Sequence, residues 1–165
     1  MRHAIGEQRD AMRWPVDSLR PLTPEGAERF RRAARGLHRI VPSIDLVLAS
    51  PYVRAWHTAE LLHEEAGWPP PHESVALAGH SATADALDAL RLHANRESIA
   101  LVGHEPQLSW LASLLLTGDE SVVRLELKKG AVALLELTSP PTPGSATLRW
   151  SLSPKLLRAL EKSAR

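Results

Sequence analysis

The sequence predicts a layered α/β/α domain with a mostly parallel central sheet and an antiparallel portion. Two observations carry this expectation. Short apolar runs at 45–49 and 98–102 alternate with segments of helical spacing, the pattern of strands joined by crossover helices. Beyond about residue 122 the pattern becomes strand-rich, with alternation over 147–152, which suits antiparallel pairing. The 165 residues, 44% hydrophobic and 24% charged, suit one domain spanning 1–165 with a core of its own.

The elements follow in order. Thr23-Pro24 places a capping hydroxyl before a proline at the first helical position, opening a helix to about Ile40. Asp45 to Ala49 reads as a short buried strand. Ser50-Pro51 repeats the cap-then-proline signal and opens a second helix ending near Gly67, and Trp68-Pro69-Pro70-Pro71 breaks the chain. Val75 to Leu77 reads as a brief strand. Ser81 to Ala94 is a third helix, with Ala84, Leu87, Leu90 and Ala94 near helical spacing. Ser98 to Val102 is an apolar strand, after which Glu105-Pro106 starts a fourth helix through Leu116. Val122 to Leu127 and Ala131 to Leu137 flank Lys128-Lys129-Gly130 as a hairpin-like region. A loop over Pro140 to Gly144, a strand over Thr147 to Leu152 and a closing helix over Pro154 to Lys162 complete the chain.

Composition narrows the function classes. A formal charge of +1 gives no global attraction for nucleic acid, so anion affinity must come from local placement. The absence of cysteine excludes disulfides, thiolate catalysis and thiolate metal sites. The eight histidines show no compact ligand spacing, so neither metal nor cofactor is expected. No apolar run approaches the roughly 20 residues of a membrane span. Glu7, Arg9, Asp10 and Arg13 interrupt any signal-peptide core. A cytoplasmic protein with no membrane or nucleic-acid partner is expected.

Three separated pieces carry chemistry: Arg2-His3-Ala4, the segment Ser50 to Ala59 with Arg54, and Val102-Gly103-His104-Glu105-Pro106. A phosphoryl dianion needs fixed positive charge and donors around its oxygens, and arginine offers a planar fork that binds two of them. The two proline-marked helix starts add unpaired N–H groups beyond the strand ends, where ligands of open α/β sheets bind. Arg54, about one turn into its helix, and His104, at the end of its strand, are placed to face one crevice. A neutral histidine is a competent nucleophile toward phosphorus. His3 is the candidate nucleophile, with Arg2, Arg54 and His104 balancing charge on the transferring group.

These pieces, with Arg20-Pro21-Leu22-Thr23-Pro24-Glu25-Gly26 and the closing Trp150-Ser151-Leu152-Ser153-Pro154, resemble the histidine phosphatase superfamily. Within it they resemble the short SixA-type phosphohistidine phosphatases, and the likeness runs over essentially the whole chain. The resemblance implies a phosphoglycerate mutase-like fold. It implies a phosphorylated His3 with Arg2, Arg54 and His104 holding the phosphate, and it places Arg20 at the pocket rim. Two departures stand out. Members usually carry several apolar residues ahead of the Arg-His pair, whereas only Met1 precedes Arg2 here. Each buried apolar side chain forgone is worth about 1.5–3 kcal/mol, so a shortened first strand and a His3 near a fraying end are expected. Ala4 stands where many members have glycine.

Mutases and many ester phosphatases of the superfamily use an acidic residue after the second helix as general acid. Here that region reads His72 to Ser81 without a convincing match: Glu73 precedes an expected strand, His80, after Gly79, is placed to reach the pocket as a substrate-binding residue, and Glu7 and Glu105 are weaker candidates. An alkoxide leaving group needs a proton donor, whereas the imidazole of phosphohistidine leaves far more readily. The expected activity is therefore hydrolysis of protein phosphohistidine, with a phosphohistidine-bearing protein as partner. The alternatives are a small-molecule phosphomonoesterase acting on a small phosphorylated substrate with His80 or a nearby acid, and a non-catalytic phosphate-binding module.

Overall fold

The computed structural model describes residues 1–138 and 140–162. Three parallel strands, β1 (Leu46–Ala49), β2 (His72–Glu73) and β3 (Ile99–Val102), form a sheet of order β2-β1-β3. The register sets Leu46 against Ile99 and Ala49 against Val102. β4 (Val132–Leu137) and β5 (Ala146–Leu152) form a separate antiparallel pair with a register shift between Leu134 and Leu135. Among the described residues five α-helices accompany them: α1 (Pro24–His38), α2 (Val53–Ala66), α3 (Thr83–Leu92), α4 (Gln107–Thr117) and α5 (Pro154–Lys162).

The strand β1 explains the layering. Successive side chains of a strand point to opposite faces. Val47 and Ala49 pack with Phe30, Ala34 and Leu37 of α1 and Ala55, Ala59 and Leu62 of α2. Leu46 and Leu48 pack with Leu87 and Leu90 of α3 and Leu111 and Leu115 of α4. A strand apolar on both faces is thus covered by helices on both faces, and all four of its residues are buried. α1 and α5 approach so closely that a Cβ added at Gly36 would fall 1.8 Å from the carbonyl oxygen of Leu157. Arg32 and Arg35 on α1 both pair with Glu161 on α5 beside that contact.

Thr23 caps α1 as expected, its Oγ1 accepting from Gly26 N–H at 2.9 Å. Gly67, with φ 68°, ends α2 in the left-handed conformation that glycine adopts freely. Other expectations are corrected. The second helix starts at Val53, because the Ser50 hydroxyl binds His104 and Tyr52 N–H instead of capping a helix; Arg54 is therefore only the second residue of α2. The fourth helix starts at Gln107, after Pro106, rather than at Glu105-Pro106. Residues 75–77 form a 3₁₀ turn, and the strand of this region is His72–Glu73, two exposed residues recognisable only by their pairing with β1. Residues 122–127 form no strand; the hairpin joins β4 to β5.

The expected fraying of the first residues is also corrected. On one side Met1 N donates to Leu101 O, Gly103 N to Met1 O and His3 N to Gly103 O. On the other side Arg2 N donates to Ala131 O, and Gly130 N lies within reach of both Arg2 O and His3 O. Residues 1–3 make a single parallel bridge to Gly103 rather than a strand, yet they are hydrogen-bonded on both flanks. No helix among the described residues is long and apolar enough to cross a membrane.

Candidate phosphate-binding active site

All six residues singled out in the sequence line one open cleft beyond the ends of β1 and β3: Arg2, His3, Arg20, Arg54, His80 and His104. His3, Arg54 and His104 are buried, whereas His80 is exposed at the wall.

The ring of His3 is fixed at both nitrogens. Nδ1 lies 2.6 Å from the carbonyl oxygen of its neighbour Ala4, an acceptor only, so Nδ1 carries the proton. Nε2 therefore presents its lone pair, and Arg54 Nε donates to it at 3.3 Å. Ala4 is itself held by the Thr58 hydroxyl, which accepts from Ala4 N–H at 3.0 Å and donates to Arg54 O at 2.6 Å. Thr58 thereby ties the segment carrying the nucleophile to the helix carrying Arg54. Burial, and then the charges of His104, Arg54 and Arg2, push the His3 pKa down to about 3 against the opposing pull of the Ala4 carbonyl. The ring is neutral over the physiological range.

His104 stands with its ring centroid 5.1 Å from that of His3 and its Nε2 2.8 Å from Ser50 Oγ. Its Nδ1 is buried without a partner among the described residues. Burial and the nearby Arg54 charge lower its pKa to about 3 as well. Tyr52 packs against His104, centroids 4.8 Å apart, and carries the Arg54 guanidinium over its own ring at 5.1 Å.

The arginines are held by one acidic residue that sequence reasoning did not single out. Asp17, in a 3₁₀ turn over Asp17–Leu19, accepts from Arg54 through its carboxylate at 2.9 Å and its carbonyl at 2.8 Å. The other carboxylate oxygen accepts from Arg20 Nε at 2.9 Å. Partial burial works to raise its pKa, but the hydrogen bonds and charges of Arg20 and Arg54 prevail and lower it. Arg20 also donates to Glu7 O at 2.7 Å. Arg2 donates to Leu127 O at 2.9 Å, and its Nε is buried without a partner among the described residues. Lys129 lines the same cleft; its pKa is lowered by burial and by the charges of Arg2, Arg20 and Arg54, a sign of how much positive charge converges there.

Ser50, Tyr52 and Thr58 were passed over individually because their types are common in loops and helices and their partners are far away in sequence. Asp17 did carry a signal: it lies one helical turn before Arg20, the spacing at which an Asp and an Arg meet. Among the described residues no group of three or more histidines and carboxylates is placed to hold a metal ion. The arrangement surrounds a neutral imidazole lone pair with cationic donors, which suits attack on an anionic phosphoryl group.

Comparison with known proteins agrees with this chemistry. Residues 1–78 match the family described as the histidine phosphatase superfamily (branch 1). The chain is 32% identical over 133 residues to an uncharacterised protein of Picosynechococcus, a match covering 79% of each. Its fold is similar to that of the protein histidine phosphatase SixA complexed with tungstate, with a TM-score of 0.82 and 26% identity over 95% of this chain and 96% of that one. The alpha-ribazole phosphatase of Shigella flexneri shares the fold with a TM-score of 0.70 and 21% identity, covering 93% and 95% of the two chains.

Proposed function

The chain belongs to the histidine phosphatase superfamily and is a phosphatase, and on that premise we propose that residues 1–165 act as one cytoplasmic domain that hydrolyses protein phosphohistidine through a phosphorylated His3. The observation that carries this reading is the His3 ring, with Nδ1 protonated against Ala4 O and the Nε2 lone pair turned to Arg54 in the cleft. An incoming phosphoryl group takes over the Arg54 donors with its oxygens, and the lone pair is released for attack. Arg2 and His104 contribute their unpartnered donors, Nε and Nδ1, to the same oxygens. Arg20 and His80 contact the substrate from the rim. The proton on Nδ1 stays on the enzyme, so the phosphorylated ring is a cationic, labile N-phosphoryl group that water opens to phosphate.

The preference for phosphohistidine is supported by how few of the cleft carboxylates are left unengaged, since imidazole leaves with far less need of a proton than an alkoxide does. Asp17 is bound by Arg20 and Arg54, and Glu7 by Arg13. Glu25 is bound by Arg29, Asp10 by the backbone of Met12 and Arg13, and Glu105 by Ser109. Glu105 differs from the rest: its Oε1 is buried with no hydrogen-bond partner among the described residues, and burial raises its pKa. The likeness to SixA supports the same substrate class.

The test compares turnover of a phosphohistidine-bearing protein with that of an alkyl phosphate ester and traps labelled phosphate on the enzyme by acid-free quench. Faster cleavage of the phosphohistidine protein is expected, with label lost in His3→Ala. Faster ester cleavage would replace this reading with a small-molecule phosphomonoesterase. Phosphate binding with no labelled enzyme would make the chain a binding module.

A further inference from the structure

His80, exposed in the cleft wall, is tied by its ring to a side chain that packs around the nucleophile's neighbours. Its Nδ1 lies 3.1 Å from the hydroxyl of Tyr52, the side chain that packs on both Arg54 and His104. The preceding Gly79 brings the loop against the site: a Cβ there would fall 3.1 Å from the Tyr52 ring and 3.7 Å from His104. The loop is pinned from beneath by Gln107, only 4% exposed. Its side-chain amide donates to Ala76 O at 2.7 Å, Ala82 O at 2.9 Å and Ser81 O at 3.1 Å. An exposed histidine on such a loop is preorganised.

In-line attack by His3 Nε2 places the leaving atom on the far side of the phosphoryl group from His3, and His80 is an exposed residue of the same cleft. Glu105 keeps one buried oxygen without a partner among the described residues but is bound through the other to Ser109, whereas His80 is exposed to the cleft, and imidazole is the side chain suited to exchanging a proton near neutral pH.

We propose that His80, oriented by Tyr52, is the catalytic proton donor to the leaving group. The assignment rests on the phosphoenzyme reading above. The Tyr52 oxygen accepts from His80 Nδ1–H in both protonation states, leaving Nε2 to give and regain the proton. In the first half-reaction the His3 Nε2–P bond forms and the bond from phosphorus to the substrate nitrogen breaks. The electron pair of that bond stays with the substrate imidazole, and the proton from His80 makes it a neutral leaving group. In the second half-reaction water attacks phosphorus, His80 Nε2 takes the proton the water loses, and the His3–P electron pair returns to Nε2.

The experiment uses two aryl esters that differ in how much they need a proton. Nitrophenolate departs unaided, while phenolate is more basic and gains from a donor. His80→Gln is expected to lower kcat/KM for phenyl phosphate by about 100-fold and for 4-nitrophenyl phosphate by less than about tenfold. His80→Glu, which restores a proton donor, is expected to recover part of the phenyl phosphate rate. Equal losses on the two esters, or no loss on phenyl phosphate, would overturn the assignment. Wild-type protein that acquires no labelled phosphate from a phosphohistidine-bearing protein would instead overturn the phosphoenzyme reading, and that result appears without any change at His80.

Discussion

Asp17 holds Arg54 with two acceptors, its carboxylate at 2.9 Å and its backbone carbonyl at 2.8 Å, so an acidic residue of a surface turn aims a buried guanidinium at the nucleophile. Replacing Asp17 by alanine has two opposed consequences. The cleft becomes more positive, which favours anions, while Arg54 loses its orientation, which disfavours turnover. We expect kcat to fall by about 10- to 100-fold, as small misplacements of reacting groups do. The inhibition constant of inorganic phosphate should stay the same or decrease. Steady-state kinetics with phosphate as product inhibitor checks both, and weaker phosphate binding with kcat intact would contradict the assignment.

Protonation links this site to stability. Folding holds His3 and His104 at about 3, well below the ordinary 6.5. Between those values the unfolded chain binds more protons, so the stability associated with these groups is complete above about pH 6.5 and is lost as pH falls toward 3. Each group contributes at most about 1.4 kcal/mol per pH unit in that window. Urea unfolding at pH 7 and pH 4.5 should show a smaller pH difference for His104→Gln than for the wild type. An identical difference would mean that His104 is not held neutral.

Thr58 offers a local test of how the nucleophile is positioned. Thr58→Val keeps the shape but removes the acceptor of Ala4 N–H and the donor to Arg54 O. Leaving Ala4 N–H unpaired in a fully buried position should cost about 1–3 kcal/mol of stability. It should also lower phosphoenzyme formation, because the Ala4 carbonyl fixes the His3 tautomer. Thermal denaturation and rapid-quench labelling measure the two effects; a fall in stability with labelling unchanged would limit Thr58 to packing.

How far the sequence revealed all this differs by residue. Arg2, His3, Arg54 and His104 could be picked out because each sits at a strand end or near a helix start, where a side chain has little local work to do. The Thr23 cap and the both-face apolar β1 were readable because their causes lie within a few residues. Ser50 was misread as a cap because its hydroxyl has two possible uses, and the competing one, His104, lies 54 positions away. His72–Glu73 has no strand pattern of its own and is extended only because β1 offers an edge to pair with. The order of residues 1–3 was hidden for the same reason: it comes from Leu101, Gly103 and Ala131 rather than from apolar neighbours in sequence.

The meeting of α1 and α5 at Gly36 gives a further prediction. A Cβ there would lie 1.8 Å from Leu157 O, and backbone has no flexible end with which to yield. Gly36→Ala should therefore lower the melting temperature by well over the few degrees of an ordinary surface change. Far-UV circular dichroism and limited proteolysis should report release of α5, and an unaltered melting curve would mean that the helices can part without cost.

This contact has practical value for anyone modifying the chain. One methyl group at position 36 acts as a wedge, prising Glu161 away from Arg32 and Arg35 while touching nothing in the cleft. A destabilised variant with its chemistry in place can therefore be made at a single atom's expense. Such a variant would separate what the cell senses as a failing fold from what it senses as a missing activity.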